Sequence, residues 1–251
     1  MKKSLFYLFT LFLIGIFIIP CVQAVLPKKV DVLFLGDQKV GKSYLRSVLT
    51  GNAPDTMSRE YTPTIETNFV TSFLDTRING RQIALLYWDS PGAPEVREQL
   101  TRYGAQGCQF IVLAINLEEH TYNPQTREGV DIVANNFGNY IVSLRNLHRD
   151  AYLIVCGTKK DLVSPEKTRH ILAQFEPYKN LDSYRNHFNC IATSSTEDPE
   201  SVMQIENIIK RVLRSGQINI DNLEDYQDSS YTKKTLPCGM TICKRKGCTI
   251  L

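Results

Sequence analysis

Gly36 and Gly41 stand five residues apart, and Lys42 and Ser43 follow at once, at the polar end of the apolar run VDVLFLG. Two glycines so spaced let the backbone of Gly36-Asp37-Gln38-Lys39-Val40-Gly41 wrap its amides around an anion. Lys42 then offers an ammonium to the outer oxygens of a phosphate chain, and Ser43 a hydroxyl to a magnesium ion. A second ligand for that ion is Asp89, which closes the apolar stretch LLYWD and is placed to hold magnesium through water.

Such a loop works only between a strand and a helix, and the surrounding pattern supplies both. KKVDVLFLG reads as a strand, and GKSYLRSVLTG as a helix closed by Gly51. Thr67 to Leu74 and Gln82 to Trp88 read as two strands turned at Asn79 and Gly80. CQFIVLAINL and AYLIVCGTKKD are solidly apolar, as strands are when helices cover both faces of a parallel sheet. ESVMQIENIIKRVLRSG places Val202, Ile205, Ile208, Ile209 and Val212 on one side of a helix. The expected fold is α/β, a mostly parallel central sheet with helices on both faces.

The 251 residues, 43% apolar, suffice for one well-filled core with chain to spare. A net charge of +3 from 29 basic and 26 acidic side chains gives no reason to expect nucleic acid as a partner. Seven cysteines are an odd number, and Cys108, Cys156 and Cys190 lie in or beside apolar runs, which suits reduced core thiols. No carboxylate pair, zinc cluster or nucleophile triad stands out, and the four histidines fall on segments that read as solvated surface.

Taken in order along the chain, these segments resemble the small GTPases of the Ras superfamily, closest in wording to the Rho and Rab branches, over about Val30 to Gly216. The resemblance implies a P-loop small G domain that binds GTP or GDP with magnesium. EYTPT is similar to the first switch of Rho-like proteins, so Tyr61 would cover the nucleotide and Thr64 would join Ser43 and Asp89 at the metal and sense the γ-phosphate. WDSPG resembles WDTAG, and Gly92 would donate its amide to the γ-phosphate. GTKKD resembles the guanine-reading segment: Thr158 and Lys159 flank the base, and Asp161 accepts from the guanine N1–H and exocyclic amine. ATSS resembles the last loop, Thr193, Ser194 and Ser195, with the Ser195 amide facing the guanine O6. Adenine lacks the donor pair that Asp161 would need, which favours GTP over ATP.

The resemblance also implies partners. Effector proteins would read the two switch loops, at Thr62, Ile65, Glu66 and Phe69 and at Val96, Leu100 and Tyr103, and an exchange factor would reload the site. Two departures weaken hydrolysis. Gln38 stands where the family commonly has glycine, and Ala93 follows Gly92 where the family has the glutamine that orients the attacking water. A hydrolase of weak intrinsic activity is expected, with Gln38 the candidate substitute for the missing amide. The rival reading is a pseudo-GTPase scaffold with little nucleotide cycling.

The ends suggest membranes. Lys2 and Lys3 precede an apolar run from Leu5 to Ile19, so residues 1–27 read as a signal or anchor segment. Residues 28–216 read as the domain, with an insertion at about 118–136, and 217–251 as a flexible tail. The tail ends in a CaaX-like Cys248-Thr249-Ile250-Leu251 behind Lys244, Arg245 and Lys246, a prenylation site at Cys248 facing anionic lipid. Prenylation and GTP loading belong to a cytosol, whereas a cleaved signal peptide leads out of one. The alternatives are an anchored domain facing the cytosol, an upstream extension outside the working protein, and export by a microbe into a host cell.

Overall fold

Along the first strand, Lys28–Leu35 (β1), successive side chains feed two separate cores. Val30, Val32 and Phe34 point to one face, Leu33 and Leu35 to the other, and all five are buried. A strand can be apolar on both sides only if both sides are covered, so this one run requires a three-layer arrangement.

The computed structural model describes residues 25–51, 64, 68–92, 107–118, 141–142, 144, 146, 148–181, 187–194, 196–226, 234–235 and 241–242. After β1 come the helix Lys42–Leu49 (α1), the strands Asn68–Phe73 (β2), Ile83–Asp89 (β3), Phe110–Asn116 (β4) and Tyr152–Thr158 (β5), and the helices Pro165–Ala173 (α2) and Glu176–Lys179 (α3). The strand Phe188–Ala192 (β6) and the helix Met203–Arg214 (α4) follow. The sheet has six strands in the order β2-β3-β1-β4-β5-β6, and only β2 runs antiparallel to its neighbour. This is the mostly parallel α/β fold expected from the sequence.

Helix α4 buries Ile205, Ile208, Ile209 and Val212 against the first face, together with Leu45 and Leu49 of α1. Ile141 and Leu144, with Ile171 of α2 and Phe175, close the second. The β2–β3 turn carries positive φ at Asn79 (50°) and Gly80 (75°), the mirror-image turn a two-residue hairpin needs. Cys108, Cys156 and Cys190 are free thiols.

Strand order places the site. β1 lies between β3 and β4; the chain leaves β1 for β2 on one side and crosses from β3 to β4 on the other, which opens a crevice at the carboxyl ends of the strands. The loops that leave β1, β3, β5 and β6 all emerge there.

The folded part continues past Gly216, where the sequence pattern sets the start of a flexible tail. Ile218 and Ile220 are buried in the first core, and Ile220–Asn222 forms a 3-10 turn. The chain then clips onto the start of β1. The Lys29 amide donates to the Glu224 carbonyl at 2.9 Å, the Tyr226 amide to the Pro27 carbonyl at 2.6 Å, and Lys28 Nζ pairs with Asp225 at 3.0 Å. Backbone bonds, which leave little trace in side-chain periodicity, share the strap with the Lys28 and Lys29 ammonium groups, which reach the Leu223 carbonyl at 2.9 Å and Glu224 at 3.4 Å. Farther on, Lys234–Thr235 (β7) and Thr241–Ile242 (β8) pair antiparallel. His148, expected on the surface, is buried. Most of residues 1–27, nearly all of the insertion after Leu117, and Cys248 lie outside the described residues.

Candidate functional site

The loop after β1 is shaped by its glycines. Gly36 sits at φ 141°, and a Cβ there would run into the Ala114 carbonyl of β4, so no side chain fits. Lys39 and Gly41 also take positive φ, 63° and 95°, which coils the loop before α1 begins at Lys42. Gln38 and Lys39 are exposed at its crest, and Val40 is buried beneath it. Lys42 folds back over the loop, its ammonium donating to the carbonyls of Gly36 at 2.8 Å and Asp37 at 2.7 Å. The result is a ring of backbone capped by a positive charge and the amide end of a helix, which suits a phosphate.

Ser43 and Thr64 meet hydroxyl to hydroxyl at 2.9 Å. Thr64 can donate to Ser43, which leaves the Ser43 proton for Asp89 at the end of β3. Asp89 is 1% exposed, and its Oδ1 has no hydrogen-bond partner. Burial raises its carboxyl above the ordinary aspartate value, against the Ser43 hydrogen bond and the positive fields of Arg46 and Lys42. An orphaned buried carboxylate oxygen beside two hydroxyls is a donor set of hard oxygens, the kind magnesium takes. The residues present therefore fit the metal that the sequence implies.

Gly92 packs onto the same loop. A Cβ on it would lie 2.5 Å from the Gln38 nitrogen and 2.7 Å from the Asp37 carbonyl carbon, so the two backbones touch. Trp88 fixes the strand that delivers this segment, its Nε1–H donating to Asp31 at 2.8 Å, and Phe69 of β2 stacks on it at a 4.7 Å centroid distance.

The loop after β5 is tied to the phosphate loop. The Thr158 hydroxyl donates to the Val40 carbonyl at 2.7 Å and lies 3.0 Å from the Ile115 carbonyl. Lys159 takes positive φ, 58°, and its ammonium reaches Glu118 at 3.4 Å. Asp161 follows on an exposed 3-10 turn. Lys160 anchors that turn, its amide bonded to the Thr193 carbonyl at 3.1 Å and its ammonium to Asp198 at 2.6 Å. The loop after β6 is thus drawn to the same end of the sheet, with Thr193 and Ser194 fully buried. The Thr193 hydroxyl lies 3.4 Å from the Cys156 sulfur, so this side chain supports the loop from inside. Tyr61, Ala93 and Ser195 lie outside the described residues, as do Thr62, Ile65, Glu66, Val96, Leu100 and Tyr103.

One residue at this site was not singled out by sequence. Arg46 lies one helical turn beyond Ser43, on the same face of α1, and its Nη1 is 3.6 Å from Asp89 Oδ2. Spacing of i, i+3 from the magnesium-type serine is the signal that could have found it. A separate cavity of about 580 Å³, lined by residues such as Cys108, His148 and Asn219, opens at the other end of the strands, away from these groups.

The family described as Ras of Complex, Roc, domain of DAPkinase matches residues 31–161, just over half of the chain. The chain is also similar to the GTP-binding protein rho2 of Schizosaccharomyces pombe, 28% identical over 139 residues, which cover 55% of this chain and 60% of that protein. The match therefore spans about three fifths of the relative's length.

Proposed function

The chain belongs to the Ras-like GTPases, in the Roc family and Rho-like within the Ras superfamily, and on that premise we propose that it is a guanine-nucleotide switch. In this reading the loop from Gly36 to Gly41, with Lys42, holds the phosphates of GTP or GDP. Ser43, Thr64 and Asp89 hold magnesium, which would offset phosphate charge. Asp161 reads the guanine edge, beside Thr158, Lys159 and the loop through Thr193, Ser194 and Ser195.

The observation that carries the reading is the meeting of Ser43, Thr64 and the orphaned Asp89 carboxylate beside the Lys42 loop. Thr64 and Gly92 come from segments on either side of β2 and β3, and both close on the phosphate loop. Contacts that depend on a terminal phosphate there would order two surface segments together, and that pair of segments is what effector proteins and an exchange factor would recognise.

Hydrolysis is slow in this proposal, because an alanine methyl at Ala93 cannot hold the attacking water. The protein works at a membrane, with its nucleotide site facing a cytosol, through Cys248 and the basic residues before it and through the apolar N-terminal segment. The sequence at the two ends supports this part. Lipid is then a partner of both ends.

Titration of the full chain with GTP, GDP and ATP, each with and without magnesium, tests the switch. Guanine nucleotides are expected to bind at least tenfold more tightly than ATP, a preference of about 1.4 kcal/mol. Failure to bind guanine nucleotides at all would remove the switch and leave a scaffold, whereas equal ATP affinity would remove the role given to Asp161.

A further inference from the structure

Asp89 has two candidate counter-ions in reach. One is the divalent ion that Ser43 and Thr64 would share with it, and the other is built into the chain. Arg46 and Asp89 form an ion pair at 3.6 Å, with side chains 19% and 2% exposed. The pair is incomplete: Asp89 Oδ1 and Arg46 Nε are both buried without a hydrogen-bond partner. Breaking one side of a buried pair costs far more than forming it gains, because the remaining charge is left without compensation. The helix fixes the arrangement, since Ser43 and Arg46 lie one turn apart on α1 and both face the end of β3.

We propose that Arg46 is a tethered cation that competes with magnesium for the Asp89 carboxylate, so that this site keeps its structure and its nucleotide with an unusually small dependence on magnesium. The inference rests on the assignment of Ser43, Thr64 and Asp89 as the metal site. A guanidinium at that place satisfies part of the carboxylate before any metal arrives. It also adds positive charge where a divalent ion must enter, which lowers the affinity for that ion. Arg46 is a positioning residue in this scheme: it pairs with Asp89 and touches no reacting atom.

The test uses the full chain and Arg46→Gln, with Arg46→Lys as the conservative control. GDP release is timed in magnesium and again in excess chelator. Wild type is expected to speed up only a few-fold when magnesium is withdrawn. Arg46→Gln should respond about tenfold more strongly, because Asp89 then depends on the metal alone, and Arg46→Lys should lie near wild type. An equal response in wild type and Arg46→Gln would overturn the proposal.

A second readout needs no nucleotide. In metal-free protein, Arg46→Gln should lower the melting temperature, and the loss should shrink when Asp89→Asn is already present, the coupling a double-mutant cycle detects. Additive effects would overturn the proposal even if GDP never binds. Lack of GDP binding combined with clear coupling would sink the switch and leave the Arg46 pairing standing.

Discussion

The Thr158 hydroxyl donates to the Val40 carbonyl at 2.7 Å, joining the loop that follows β5 to the loop that follows β1. These segments are far apart in sequence and share no strand pairing, for β4 lies between β1 and β5. This bond therefore ties the groups that would hold the phosphates directly to the groups that would hold the base, beyond what the sheet itself fixes.

Replacing Thr158 with valine keeps the shape and removes the hydroxyl, which leaves the Val40 carbonyl buried without its partner. The cost should be about 1–3 kcal/mol of stability. Guanine-nucleotide affinity should fall as well, because the two half-sites lose their direct tie. Thr158→Ser retains the donor and should recover both. Chemical denaturation alongside GDP titration of the two variants checks this, and a Thr158→Val protein as stable and as tight as wild type would show that the bond positions nothing.

The strap that ends at Tyr226 gives a second expectation. Ile218 and Ile220 are 7% and 3% exposed in the first core, and burial of an isoleucine contributes about 1.5–3 kcal/mol. The two together match a large part of the roughly 5–15 kcal/mol that holds a domain folded. Truncation after Gly216 should therefore yield a protein that is unfolded or melts far below wild type. Truncation after Asp228 should leave the melting temperature within a few degrees of the full chain. Equal melting of both truncations would show that the strap adds no stability.

These two cases mark what the amino-acid pattern reveals. The sheet was legible because VDVLFL, FIVLAIN and YLIVCG are apolar on both faces, and the phosphate loop because Gly36, Gly41, Lys42 and Ser43 keep a spacing that backbone geometry demands. Asn79 and Gly80 announced their turn in the same way. The strap was not legible, since two of its ties, from Lys29 to Glu224 and from Tyr226 to Pro27, run through the backbone, which any residue type can supply, and Ile218 and Ile220 are too few to set a period. Arg46 was hidden for a different reason. A basic residue on an amphipathic helix reads as solvated surface, and only the arrival of β3 shows that it meets a buried carboxylate. His148 reads as surface by type, yet it is buried in the turn that leads into β5.

Cys156 carries a pH dependence. It is fully buried on β5, and desolvation pushes its thiol from an ordinary 9.0 up to about 12, against a hydrogen bond with Thr193. The folded state thus keeps the proton after the unfolded chain has lost it. Its contribution to stability is full below pH 9.0 and is lost as pH rises toward about 12, at up to about 1.4 kcal/mol per pH unit. Denaturation midpoints should fall between pH 9 and 11 more steeply in wild type than in Cys156→Ala. In native protein at pH 8, alkylating reagent should leave Cys156 unmodified while it labels the same thiol in denaturant. Rapid native labelling would contradict the burial.

Hydrolysis is the last expectation, and it turns on the contact between Gly92 and Gln38. The Gly92 position abuts the Gln38 backbone, at the crest of the loop that would hold a terminal phosphate. Next in sequence comes Ala93, with no group to position water, and the exposed Gln38 side chain adds bulk at the loop's crest. Single-turnover GTP cleavage should therefore be slow in wild type. Ala93→Gln combined with Gln38→Gly should speed it by on the order of a hundredfold, the scale that orientation of one reactant contributes. Gln38→Gly alone separates the two effects. A further drop would mean that Gln38 supplies the missing amide, while a rise would mean that it only obstructs. If wild type already cleaves GTP as fast as the double variant, water is held by some other group and Ala93 is no lesion.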